Sequence, residues 1–262
     1  MKSTARLLTA LVVPLLVGCA NDTVTAIFIS DQQEVEMGEN FVEQIEADTV
    51  NYPLYEDNPD HDPALVDYID ELGQKLASSQ DDRTTIDYHF TIIDKDSVIN
   101  AFAVPGGFIY IYTGLIKEAH DEAEISGVLA HELGHITKRH GAKRMVKAMG
   151  IEFVLDLVVG KENALRTALD LGSGILFLKY SRDDEYQADS CAVEYSVNAQ
   201  MNPLGMKTFL EYLASLSEGP SWDVLSTHPP SEERADSVQA LIDRKYKTQA
   251  ANWDIPDKKI SP

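Results

Sequence analysis

His131-Glu132-Leu133-Gly134-His135 is the stretch whose reading decides the fold. An α-helix turns once per about 3.6 residues, so side chains four apart stack on one face. On a helix, His131 and His135 therefore aim two imidazole nitrogens at one point. Glu132 lies beside them, within reach of a water held there. That is the arrangement of a zinc hydrolase site. The same five residues also describe two solvated histidines on an ordinary helix. A third protein ligand separates the two readings, because a catalytic zinc takes three and leaves a fourth position for water.

The helix carrying this stretch is expected over about 121–147. Asp121 and Glu124 form an Asp-x-x-Glu start able to cap orphan amides, and Ile125, Val128, Leu129 and Ile136 supply the apolar side. Gly141 is a candidate break. On an unbroken helix His140 faces away from His131, which predicts a surface residue rather than a ligand. Upstream, Ile86 to Ile93 alternates and is rich in β-formers. Asn100-Ala101-Phe102-Ala103-Val104, Pro105-Gly106-Gly107 and Phe108 to Tyr112 then read as two short strands around a tight turn. The first of these strands has two readings of equal standing: an edge that pairs with an extended peptide, or an ordinary buried strand. Earlier still, Val35, Phe41, Val42 and Ile45 predict an amphipathic helix over about 31–47. Leu65, Ile69, Leu72 and Leu76 predict another over about 63–79, after a Pro- and Asp-rich loop.

Downstream, 148–178 is apolar but interrupted by Glu152, Asp156, Lys161, Arg166 and Asp170, which leaves no span of about twenty apolar residues. Two core-packing helices are expected there, with membrane contact as the lesser reading. Ser181-Arg182-Asp183-Asp184 is a capping-box start, so a helix opens at Ser181. It carries Glu185 in its first turn and Asp189 four residues later on the same face. Glu185 is the candidate third ligand. Asp189 is placed to accept the outer N–H of a ligating imidazole. An acidic, solvated helix face is the competing reading in a chain this rich in Asp and Glu. Cys191 falls on roughly the opposite face and reads as a small buried residue.

The first residues concern location. Lys2 and Arg6 precede an apolar run from Leu7 to Val17, too short to span a membrane but suited to a secretory signal. It ends in Leu16-Val17-Gly18-Cys19, which resembles a bacterial lipobox, with Cys19 as the lipidated residue; an ordinary signal peptide with a chance cysteine is the competing reading. By analogy with bacterial lipoproteins, Ala20 stands where an aspartate would favour inner-membrane retention, so in a Gram-negative cell an outer-membrane anchor facing the periplasm is expected. Lys+Arg number 22 against 43 Asp+Glu, a net charge of −21. Such a surface excludes nucleic acid as a partner and leaves attachment to anionic lipid to the anchor. With Cys19 lipidated, Cys191 has no partner within the chain, and no disulfide framework is expected.

Taken jointly, His131–His135, Ser181-Arg182-x-x-Glu185-x-x-x-Asp189, the Asn100–Gly107 hairpin, Thr227-His228-Pro229-Pro230 and Glu34-x-x-x-Gly38-Glu39 resemble the M48 family of zinc metallopeptidases, in its bacterial lipoprotein branch. The resemblance runs over roughly 30–245. It implies one Zn2+ held by His131, His135 and Glu185, with Glu132 as general base and then proton donor. It implies polypeptide substrates paired to the Asn100–Val104 strand, and His228 near the metal as oxyanion stabiliser or gate. Arg234, opening the following helix, is a candidate partner for an acid near the site. The fold expected is α+β: a mostly helical zincin-like domain with a small, mainly antiparallel sheet. The expected organisation is a signal peptide over 1–18, a lipidated linker over 19–30, the peptidase domain over 31–247 and a polar tail over 248–262. Two functions follow from this reading. One is an envelope endopeptidase acting on misfolded or unassembled proteins. The other is a chaperone-like assembly factor with a structural or gated zinc and envelope assembly partners. The intact Glu132 favours the first, since a structural site needs no base there.

Overall fold

The computed structural model describes residues 29–148, 161, 179–215, 228 and 232–247. The signal, lipobox and Cys19, most of the linker, nearly all of 148–178, Pro229-Pro230 and the tail lie outside the described residues. Helix α1 spans Asp31–Ala47 and opens with a full capping box between Ser30 and Gln33. Helix α2, Pro63–Ala77, has Asp62 as N-cap and proline in its first turn, where the missing N–H costs nothing. Three strands follow: β1 His89–Ile93, β2 Ala101–Val104 and β3 Phe108–Tyr112. A short α3, Thr113–Glu118, leads into α4, Glu122–Thr137. Beyond it come α5 Arg182–Asn198, α6 Gly205–Ser215 and α7 Glu232–Lys245. The α+β expectation holds.

The sheet order is β1-β3-β2. The hairpin pair β2–β3 is antiparallel, whereas β1 joins β3 in parallel, so the sheet is mixed. Gly106 and Gly107 turn the hairpin at φ 92° and 119°, values open to residues without a Cβ. Side chains then sort by the two-residue period of a strand. Phe90, Ile92, Ala101, Ala103, Ile109 and Ile111 face the main core with α2 and α4. Ile93, Phe102, Val104, Tyr110 and Tyr112 face a second core closed by Met37, Phe41 and Ile45 of α1. α4 runs through the middle of the domain with every residue from Ala123 to Thr137 buried. It packs against α5, α6, α2 and strand β2. Among the described residues, no helix is long and apolar enough to cross a membrane.

The crossing of α4 with α6 is closed to within backbone contact. A Cβ added at Gly205 would lie 1.7 Å from the carbonyl oxygen of Ala123. Gly205→Ala is therefore expected to destabilise the domain by about 1–3 kcal/mol through overpacking, although alanine is the better helix former. Denaturant unfolding measures it, and an unchanged or raised midpoint contradicts the packing described.

The C-terminal end of α4 is held by a buried ionic cluster. Arg83 makes a two-pronged pair with the Glu34 carboxylate and donates to the carbonyl of Ile136. Arg139 donates from Nε to the same Glu34, at 2.8 Å. These contacts fix the point where the helix ends. Arg139 adopts φ 57°, and a second helical stretch begins at residue 140. The continuous helix expected over 121–147 is thus two helices. The break falls at Lys138-Arg139 rather than at Gly141, because a left-handed residue cannot continue a right-handed helix.

Candidate metal centre

α4 and α5 cross at Gly134, where a Cβ would stand 2.9 Å from the Cβ of Cys191 and 3.1 Å from the Cα of Ala188. This close approach brings the first turn of α5 up to the two histidines. Cys191 is buried in this seam, as its place on the helix suggests. Ser181 caps α5 by a capping box with Asp184, which fixes the start of the helix and hence the direction of Glu185.

His131, His135, Glu185 and His228 each present one ligand atom, and those atoms lie within 4.8 Å of one another. His131 Nε2 is 3.1 Å from His135 Nε2 and 3.3 Å from His228 Nδ1. Glu185 Oε1 is 3.0 Å from His228 Nδ1 and 3.5 Å from His135 Nε2. Its other oxygen is 3.7 Å from His131 Nε2. All four side chains are buried. Three imidazoles turning ring nitrogens onto one carboxylate, away from water, form a donor set for a borderline-soft divalent ion, which takes nitrogen and oxygen at tetrahedral sites.

Glu132 lies on the rim of this cluster. Its Oε1 is 3.6 Å from His228 Nε2, and its buried Oε2 has no hydrogen-bond partner among the described residues. An orphaned carboxylate oxygen beside a donor cluster fits a group that acts on a further ligand. Burial raises this carboxyl above the ordinary carboxylate range, against the pull of His228 and His131. Burial also drives His135 well below the usual histidine value, with His131 and His140 adding to it, so its ring is neutral and able to ligate.

Asp189 stands behind His131, with Oδ1 at 3.0 Å from Nδ1. Arg234 holds that carboxylate with two contacts, Nε to Oδ2 at 2.8 Å and Nη2 to Oδ1 at 2.7 Å. Its Nη1 reaches Glu185 Oε2 at 2.6 Å. One guanidinium thus fixes both carboxylates of α5. The sequence leaves the partner of Arg234 open because the pairing joins α7 to α5 across 45 positions.

The sequence profile of peptidase family M48 matches residues 63–242. The chain belongs to peptidase family M48. Zinc is the cofactor of this family, and the donor chemistry above fits it. The Beta-barrel assembly-enhancing protease of Escherichia coli K12 is 30% identical over 220 residues, covering 79% of this chain and 43% of that protein. The chain therefore spans less than half the length of this relative. Metalloprotease YcaL of the same organism is 32% identical over 151 residues, covering 56% of this chain and 59% of that protein. Metalloprotease LoiP, also from Escherichia coli K12, is 26% identical over 256 residues, covering 91% and 96%.

One expectation is corrected. His140 is not a surface residue: it is fully buried, with Nδ1 at 2.9 Å from His135 Nδ1. The helix break at Arg139 turns it back towards the site, so projection along a continuous helix gives the wrong face. The sequence reading also passes over Tyr180, whose ring stacks on His135 at 3.7 Å between centroids, and Arg144, which donates to the Tyr180 hydroxyl at 2.8 Å. No local pattern marks either residue. The candidate substrate strand, Ala101–Val104, is a sheet edge buried beside α4, and Asn100 directly precedes it.

Proposed function

We propose that the chain is a zinc-dependent endopeptidase of the bacterial cell envelope. In this reading Cys19 carries a lipid anchor in the outer membrane, the domain faces the periplasm, and the substrates are misfolded or unassembled proteins. The observation that carries it is the meeting of His131, His135 and Glu185 with a buried Glu132 oxygen at their edge that has no hydrogen-bond partner among the described residues. The similarity to the Beta-barrel assembly-enhancing protease supports the envelope setting. The lipobox supports the anchor.

His131, His135 and Glu185 would hold the ion. When bound, zinc supplies a Lewis acid that polarises a peptide carbonyl and makes water a nucleophile near neutral pH. The residues of the chain do the rest. Glu132 takes a proton from the attacking water and returns it to the leaving amine, a role that a buried carboxyl with a raised pKa suits. Asp189 orients the His131 ring, and Arg234 keeps both α5 carboxylates aimed. Strand β2, at one end of the β1-β3-β2 order among the described residues, would take an extended peptide by strand addition, with Asn100 to Val104 along it.

His228 supports a gated form of the same enzyme. Its Nδ1 lies within the donor cluster, so a ring in this position would fill the coordination place that catalysis leaves to water. Displaced, the same ring would remain near Glu132, where it could donate to a developing oxyanion.

Metal removal tests the proposal. Dialysis against a chelator is expected to abolish cleavage of an unfolded protein, with zinc restoring it at one equivalent per chain. Cleavage that persists in protein shown to hold no metal contradicts it.

A further inference from the structure

We propose that His140 is a positioning residue: it accepts the Nδ1 hydrogen of His135 and so turns the Nε2 lone pair of His135 towards the metal centre. This inference rests on the zinc reading above. The two Nδ1 atoms are 2.9 Å apart, and two ring nitrogens at that distance need one hydrogen and one lone pair between them. The remote side of His140 decides which. Its Nε2 faces Gln187 Oε1 at 2.9 Å and Asp184 Oδ1 at 3.5 Å. An ionised carboxylate and an amide oxygen only accept, so the His140 hydrogen sits on Nε2 and its Nδ1 carries the lone pair. His135 must then donate from Nδ1, which leaves its Nε2 free of hydrogen. That nitrogen is the one 3.5 Å from Glu185 Oε1 and 3.1 Å from His131 Nε2.

The two histidines of the α4 motif are therefore oriented by unlike means. His131 backs onto a carboxylate held by Arg234, and His135 backs onto a neutral imidazole–amide relay running into α5. The relay exists because of the left-handed turn at Arg139, which the Glu34 carboxylate holds by the Arg139 guanidinium. Glu34 thus reaches the metal centre through one residue of backbone.

Three variants test this in the full chain: His140→Leu removes the acceptor, His140→Asn keeps an oxygen near the Nδ1 position, and Gln187→Leu removes the far end of the relay. Two readouts are used: the His135 tautomer from imidazole 15N resonances of the zinc-free protein, and zinc affinity by chelator competition. His135 is expected as the Nδ1–H tautomer in wild type. Zinc affinity is expected to fall about 10- to 100-fold in His140→Leu, with most of the loss recovered in His140→Asn. Gln187→Leu is expected to weaken zinc in the same direction by less, and it carries the test where His140→Leu does not fold. Wild-type His135 protonated on Nε2, wild-type affinity in folded His140→Leu or, failing that variant, in Gln187→Leu, or an Asn variant no better than Leu overturns the inference. Wild type that takes up no zinc overturns the proposed function instead, and the tautomer readout still judges the role of His140.

Discussion

Replacing Arg234 with methionine is expected to lower the stability of the zinc-free domain by about 3–5 kcal/mol, because it leaves buried carboxylates without their counter-ion. Arg234 is 3% exposed and holds Asp189 with two nitrogens and Glu185 with a third. Methionine fills much of the same volume, so lost packing is a minor part of the effect. Lysine keeps the charge but presents one ammonium where a planar fork meets two acids, and Arg234→Lys is expected to recover only part of the loss. Denaturant unfolding of the metal-free protein measures both. A methionine variant within about 1 kcal/mol of wild type contradicts this account of the pairing, being the size of an exposed surface pair.

The second large effect is catalytic. Glu132→Gln keeps the shape of the side chain and removes its basicity, so cleavage is expected to fall by about 10²–10⁴-fold, the usual contribution of a general base. Zinc should be retained, because Glu132 is not among the four residues whose ligand atoms converge. The variant should also fold normally: the amide meets the same surroundings, and the buried Oε2 it replaces has no partner to lose among the described residues.

Several parts of this architecture are visible in the sequence because they are local. Ser30, Asp62, Asp121 and Ser181 each cap a helix through a backbone amide two or three residues on, so helix starts follow from a few adjacent letters. The four-residue spacing of His131 and His135 is likewise a property of one helix, as is that of Glu185 and Asp189. The meeting of the two pairs depends on the small residue at Gly134, which lets α5 approach, and spacing alone does not reveal it.

The features that stay hidden are set by distant partners. The parallel pairing of β1 with β3 places β3 in the middle of the sheet, with α2 packed against one face and α1 against the other, contacts between elements distant in the sequence. The break after α4 depends on Glu34, more than a hundred positions away, which binds the guanidinium of a left-handed Arg139. Arginine carries no turn signal, so helical projection continues past it and sends His140 to the wrong side. Arg234 and Tyr180 are recognised by what they touch, and those contacts come from other elements.

The central claim is that one cluster both holds zinc and cleaves peptide bonds with Glu132 as the base. Zinc content and the rate of cleavage of an unfolded protein, measured side by side on wild type and Glu132→Gln, test it most directly. The account predicts one zinc per chain in both proteins, with cleavage confined to the wild type. A Glu132→Gln variant that binds zinc and cuts as fast as wild type contradicts it.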